Sequence, residues 1–438
     1  MDEKEKEVQE GLPQTDGKEH GEQGKEQKKH GVFTMAPNDV VPNTKIPGLG
    51  IDFNLGMRVM VPEGDGWRVR AVDMDTDFVV FDGPVPGGKT IASGKTYFIR
   101  WKIEVYHGDE RVHEHIYDAR GKDVVIDCCS TAMGDTLAFV PYARVFKEQH
   151  GCRKVYFTAT DAMRELLAPS YPDIEFIARD THPQGVYATY YVGNFYPSTN
   201  RKNQPYTWHL TGLQGCAYHI LGLPEQEVRP ELLPTKRERV IQEPYVCIAA
   251  QASAQCKYWN NPSGWMDTIQ FLKEQGYRVL CIDKDRIYGG TGDVWNMIPW
   301  GSEDFTGNIP LSERVNLLHH ADFFIGLGSG LSWLAWGTGI PVVLISGFST
   351  PQFEFRTPYR VINLNVCNGC FNDGQQDFDM TRFDWCPRHQ DDPKQRFQCT
   401  KAITPGHVIR VIRQLMKDHG LNPKGQDGTR DAGHGGKA

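Results

Sequence analysis

Residues 311–347 read LSERVNLLHHADFFIGLGSGLSWLAWGTGIPVVLISG. LSERVNLLHHA carries apolar residues at helical spacing. DFFIGLGSG is an apolar run that ends in a glycine-rich turn, LSWLAWGTG is a short helix, and PVVLISG is a second apolar strand. Continuous apolar strands that alternate with helices belong to a parallel sheet covered on both faces. The alternation starts upstream, near Pro244, with the strand PYVCIAAQAS, the helix WMDTIQFLKEQG and the strand YRVLCID. It occurs a second time from Asp123, where DVVIDCCS, TAMGDTLAFVPYARVFKEQHG, RKVYFTAT, AMRELLAPS and IEFIAR read strand, helix, strand, helix, strand. Residues 182–240 are loop-rich, with a helix at LTGLQGCAYHILG. The expectation is an α/β protein with two doubly wound lobes, 119–240 and 241–360, and a cleft beyond the carboxyl ends of their strands.

Before the first lobe, residues 46–118 change pattern. Short alternating runs (MRVMV, WRVRAV, DFVVFDG, KTYFIRWKIEVYH) are separated by EGDG, DMDTD and PVPGG turns, as in a small antiparallel β-domain. Asp73, Asp75 and Asp77 of DMDTD are read as a β-turn rather than a metal loop. Residues 1–45 and 422–438 are polar and poor in large apolar residues, so they are expected to be disordered tails. A last amphipathic helix is expected over 403–421, capped by Thr404 ahead of Pro405.

The bulk properties exclude several classes. A formal net charge of −7 over 438 residues gives no basic field to hold nucleic acid. MDEKEKEVQE at the N-terminus lacks an apolar signal core, and no run approaches the ~20 apolar residues of a membrane span. A cytoplasmic protein is therefore expected. Eleven cysteines, an odd count in a large chain, argue against a disulfide framework.

Four of them form a pattern: Cys367-x2-Cys370-x15-Cys386-x12-Cys399, within 361–402. A C-x2-C pair sets two thiolates on one turn, and two later thiolates complete a tetrahedral sulfur shell suited to zinc or iron. A closed four-cysteine shell leaves no position for substrate, so the role is structural. The segment between them, FNDGQQDFDMTRFDW, is polar and needs such a staple; His389 lies nearby.

Three loops at strand ends can hold an anion or sugar. In Ser130–Thr136, Gly134 lets backbone approach a ligand, and Asp135 on the first helical turn is either a helix-dipole partner or a general base. In Gly326–Trp333, backbone N–H groups at a helix N-terminus point at phosphate. Neither loop carries a Walker GK[ST] sequence. Between them in QASAQCKYW, Lys257 is a point charge for a diphosphate or else a surface lysine.

Together these residues resemble the bacterial heptosyltransferases. STAMGDTL is similar to their base-carrying loop, CKYWNNPSGWMDTI to their DKHWP-type segment with Lys257 and Trp259 matching, and 304–347 to their nucleotide-binding half. The four-cysteine finger and the β-domain resemble a narrower group, the autotransporter heptosyltransferases. The resemblance covers roughly residues 46–420. One departure stands out: where the lipopolysaccharide enzymes have Asp-Thr-Gly-Leu-Ser-His, this chain has Gly328-Ser329-Gly330-Leu331-Ser332-Trp333.

The resemblance implies a GT-B fold of two Rossmann-like lobes, the first on the acceptor side and the second binding the nucleotide sugar. It implies ADP-heptose as donor, Ser and Thr hydroxyls on autotransporter adhesin passenger domains as acceptors, and a dodecameric ring. It moves the metal from zinc to one structural iron per chain on Cys367, Cys370, Cys386 and Cys399. On this reading Asp135 is the base of an inverting transfer. Thr131, Ala132, Met133 and Gly134 line the sugar, and Gln251 and Ser253 bond donor hydroxyls or phosphate. Lys257 and the N–H groups of Ser329, Gly330, Leu331 and Ser332 hold the diphosphate, while Asp283, Thr306 and Gly307 face ribose or adenine. The alternatives are another nucleotide sugar or a small acceptor, and a non-catalytic assembly protein on the same fold.

Overall fold

The structure is a computed structural model that describes residues 39–289, 296–376, 378–379 and 381–425. The expected tail positions 1–38 and 426–438 lie outside those residues.

The first lobe is a seven-stranded sheet, ordered Glu175–Ile177, Lys154–Thr158, Asp123–Cys128, Ala188–Val192, Gly50–Asn54, Arg58–Met60, Thr90–Ala92. Its first five strands are parallel, and the last two run antiparallel. The sheet therefore crosses the expected boundary at residue 118. Gly50–Asn54 is buried along its whole length and pairs in parallel with Ala188–Val192, Phe53 opposite Ala188. The short runs before 118 gave no sign of this, because an inserted strand buried on both faces looks locally like any β-domain strand. Only Phe78–Pro84, Trp67–Asp73, Trp101–His107 and Glu110–Ile116 form a separate antiparallel sheet. DMDTD is its turn: Asp73 accepts from the Asp75 amide at 3.0 Å and the Thr76 hydroxyl at 2.8 Å.

The tail boundary at 45 also shifts. Val40 is buried, and the Asn43 side chain holds Ile51 from both sides, donating to its carbonyl at 2.7 Å and accepting from its amide at 3.0 Å. Residues 39–45 are thus an edge of the first sheet's packing.

The second lobe is an all-parallel six-stranded sheet ordered Glu303–Asp304, Arg278–Cys281, Tyr245–Ile248, Phe324–Leu327, Val342–Ile345, Arg360–Val361. Cys247 and Cys281 are fully buried within it, as apolar strand residues. A small hairpin, Ile287–Tyr288 with Asn296–Met297, was not expected. The closing helix Pro405–Asp418 has its foreseen cap: Thr404 Oγ1 accepts from the His407 amide at 3.4 Å, and the His407 ring accepts from the Thr404 amide at 3.3 Å. Among the described residues no helix is long and apolar enough to cross a membrane.

Candidate active site

A cleft of about 410 Å³ opens where the carboxyl ends of both sheets meet. The first lobe contributes Ala132, Met133, Gly134 and Asp135; the second contributes Gln251, Ser253, Lys257, Asp283, Ser329, Gly330 and Leu331. The helices Met133–His150 and Gly330–Gly337 bring their N-termini together here. An ideal Cβ on Gly134 would lie 3.3 Å from Trp333 Cδ1 and 3.4 Å from Gly330 Cα; one on Gly330 would lie 2.8 Å from Met133 Cε and 3.2 Å from the Gly134 nitrogen. Glycine on both sides is what lets the two helix ends converge, and two converging N-termini favour an anion.

Asp135 is half-buried on the first turn of its helix. Burial pushes its carboxyl above the usual carboxylate range, opposed by the Ser130 side chain and by the charge of Lys257. That ammonium comes from the other lobe, so the two groups face one another across the cleft. Lys257 Nζ donates to Ser253 Oγ at 3.4 Å and stands 5.7 Å above the Phe348 ring. Ser329 Oγ is buried with no hydrogen-bond partner among the described residues. A buried hydroxyl with no protein partner at a helix N-terminus is a group whose partner must come from outside the described residues.

Five expected residues do not reach the cleft in the expected way. Thr131 is exposed and Thr306 is tied to Asp304, its hydroxyl donating to Oδ1 at 2.6 Å, while Gly307 closes a turn onto Lys284; none of the three lines the cleft. Ser332 is fully buried, its hydroxyl donating to the Leu327 carbonyl at 2.5 Å and its amide to the Ser329 carbonyl. Its N–H is consumed by the turn and cannot meet a phosphate. Asp283 does line the cleft, but its carboxylate faces inward, accepting from the amides of Ala250 (2.8 Å) and Gln251 (3.3 Å) and from the Cys281 thiol (3.3 Å). It shapes the loop that presents Gln251 rather than offering oxygens to ribose. Arg314 locks the same corner by donating to the carbonyls of Ile282, Asp283 and Gly307.

The reading by sequence missed Phe348, Ser349, Glu354 and Phe371, all of which line the cleft. They follow the last long strand or belong to the cysteine segment, where no periodicity marks them.

The cysteine segment departs from a closed finger. Among the described residues, no three or more His, Cys, Asp or Glu side chains are drawn together closely enough to hold an ion. The four thiols are nevertheless neighbours: Cys399 feels Cys367, Cys370 and Cys386, and Cys370 feels Cys367 and Cys386. Burial first, then these neighbours, pushes Cys370 up to about 11. His389 Nε2 approaches Cys367 Sγ at 3.5 Å, and the Phe397 amide donates to Cys386 Sγ at 3.4 Å. The donor set thus fits a soft metal ion held by sulfur.

This segment braces the second-lobe side of the cleft, not a remote surface. Asn260 donates to Thr400 Oγ1 at 2.9 Å, Asn261 to the Lys401 carbonyl at 2.8 Å, and Trp259 Nε1 to the Ile403 carbonyl at 2.8 Å. The Gln255 amide donates to the Phe383 carbonyl at 2.9 Å. Lys257 sits between these anchors. Phe371 stacks near Trp208 of the first lobe, ring centroids 4.8 Å apart, so the segment touches both lobes.

Residues 47–109 match the family model for the N-terminal domain of glycosyltransferase TibC, and residues 195–381 match glycosyltransferase family 9 (heptosyltransferase). The autotransporter heptosyltransferase TibC of Escherichia coli O78:H11 (strain H10407 / ETEC) is 45% identical over 402 residues, 91% of this chain and 97% of TibC. The chain belongs to the autotransporter heptosyltransferases. The crystal structure of TibC, an iron-containing dodecameric glycosyltransferase from enterotoxigenic E. coli H10407, aligns with a TM-score of 0.82 at 44% identity, over 88% of this chain and all of that one. A second crystal structure, of dodecameric TibC with ADP-D-β-D-heptose, aligns equally well. The inactive autotransporter heptosyltransferase BimC of Burkholderia thailandensis (strain ATCC 700388 / DSM 13276 / CCUG 48851 / CIP 106301 / E264) is 38% identical over 380 residues, 86% of this chain and 88% of BimC. The two-lobed, GT-B-like fold and the N-terminal domain of TibC are thus both present in this chain.

Proposed function

We propose that this heptosyltransferase moves heptose from ADP-heptose to Ser and Thr hydroxyls of an autotransporter passenger domain, with inversion, in the bacterial cytoplasm. The observation that carries the reading is the pairing of Asp135 and Lys257, from different lobes, across a cleft where two helix N-termini converge. The acceptor oxygen attacks the anomeric carbon as its proton passes to the Asp135 carboxylate. The bond from that carbon to the β-phosphate oxygen breaks, and the electron pair leaves with ADP. Lys257, the first-turn N–H groups of Gly330 and Leu331, and Ser329 Oγ meet the growing charge, an electrostatic contribution set in place before the reaction. The binding of ADP-D-β-D-heptose by TibC supports the donor, and the TibC dodecamer supports a ring of twelve copies.

Cys367, Cys370, Cys386 and Cys399 would hold one iron ion, whose contribution is structural. They keep 361–402 in place, and that segment in turn fixes the loop that bears Lys257.

Co-expression with a candidate passenger domain tests the transfer. Peptides should gain the mass of one heptose on Ser or Thr, one CH2O unit above a hexose. An unmodified passenger would favour the second reading, a non-catalytic member, for which BimC is the precedent.

Lys257→Met should lower kcat/KM by about a hundredfold, in the range for losing one preorganised group that faces transition-state charge. The loss should be shared between weaker ADP binding and slower transfer. Steady-state kinetics with varied donor measures it, and an unchanged KM and kcat would remove Lys257 from the site.

A further inference from the structure

Glu354 comes from the segment after the strand Val342–Ile345 and turns back onto the end of the neighbouring strand at Gly328. It lines the cleft and is only 7% exposed. An ideal Cβ on Gly328 would stand 2.5 Å from Glu354 Oε1, a separation that Cβ atoms do not show. A glycine at 328 is therefore what gives this carboxylate its place. Two partners fix it there. Arg360 Nη2 donates to Oε2 at 2.6 Å, both side chains being nearly buried, and the Ser349 hydroxyl donates to Oε1. Ser349 is itself backed by Ser346, the two hydroxyl oxygens 3.0 Å apart.

Arg360 supplies the countercharge that a buried carboxylate requires. Its bond and that of Ser349 use two of about four acceptor positions. Glu354 is also one of the residues that line the cleft, within reach of a bound ligand. A phosphate would be repelled there, whereas a sugar hydroxyl is a donor and would be held by a charge-assisted bond. On the proposed reading, the diphosphate is met by Lys257 and the helix N-terminus.

The geometry points to Glu354 as the group that accepts hydrogen bonds from sugar hydroxyls of the donor, with Gly328 as the residue that admits it. This rests on the proposed nucleotide-sugar reading. Glu354 is a specificity residue for the glycosyl part of the donor.

Calorimetric titration of the full chain with ADP and with ADP-heptose tests it. For Glu354→Gln, affinity for ADP-heptose should fall by about tenfold or more, the range for losing one charge-assisted bond, while ADP binds as before. Gly328→Ala keeps both the Glu354 and Arg360 side chains but, with its Cβ 2.5 Å from the present place of Oε1, forces the carboxylate aside, and should give the same selective loss. Should Glu354→Gln fail to fold because Arg360 is left unpaired, Gly328→Ala alone decides. Unchanged ADP-heptose binding in a folded variant overturns the inference. So does an equal loss for ADP and ADP-heptose, which would make Glu354 only a wall support. If the wild-type chain itself does not bind ADP-heptose, the donor assignment fails and this inference falls with it; normal wild-type binding with indifferent variants sinks Glu354 alone.

Discussion

Asp135→Ala is expected to lower transfer by about a thousandfold, the usual scale for losing a positioned general base, while ADP-heptose still binds. The carboxylate lies on the first-lobe wall of the cleft, and among the described residues it makes no hydrogen bond that holds Lys257 or the second-lobe loop, so donor affinity should stay within a few-fold of wild type. Wild-type kcat/KM should also rise with pH along an acid limb, because only the ionised carboxylate accepts a proton. Burial raises the Asp135 pKa, so the limb should sit above the ordinary carboxylate range. The sign for stability is opposite. A carboxyl whose folded pKa is raised stabilises the fold below its unfolded pKa, and that contribution is lost as pH rises through the folded value. At neutral pH, Asp135→Ala should therefore melt no lower than wild type, and higher if burial dominates. Full transfer activity in the variant, or an acid limb at the ordinary carboxylate value, would remove Asp135 as the base.

Cys399→Ser should have the largest effect on stability. Structural ions bound by cysteine contribute on the order of 10 kcal/mol in small domains, and Cys399 is flanked by the residues that hold the Lys257 loop. Thr400 accepts from Asn260, and the Lys401 carbonyl accepts from Asn261. The variant should lose the iron proposed for the four cysteines, melt well below wild type, and bind ADP-heptose more weakly although no ligand contact is altered. Metal analysis, thermal melting and donor titration on one preparation separate these effects. An iron-free variant with wild-type melting and donor affinity would make the metal adventitious.

The parallel α/β pattern was legible because strands such as Tyr245–Ile248 and Phe324–Leu327 are buried on both faces and read as unbroken apolar runs. The cleft loops were legible for the same reason: they follow those strands directly. What stayed hidden depended on distance along the chain. Nothing near Gly50–Asn54 announces its partner Ala188–Val192, more than a hundred residues on. Glu354 is an ordinary glutamate in sequence and becomes part of the cleft only because Gly328 is beneath it. Asp283 and Ser332 sit at the right strand ends, yet their polar atoms are taken up by backbone, which spacing cannot show.

The touching helix ends at Gly134 and Gly330 also govern how the gene can be recombined. With Met133 Cε within 2.8 Å of a would-be Cβ on Gly330, and Trp333 within 3.3 Å of one on Gly134, each half is cut to the other. Chimeras that join one lobe to a foreign partner will assemble a working cleft only if Met133, Gly134, Gly330 and Trp333 travel as one set. The two halves are thus matched to one another at this seam.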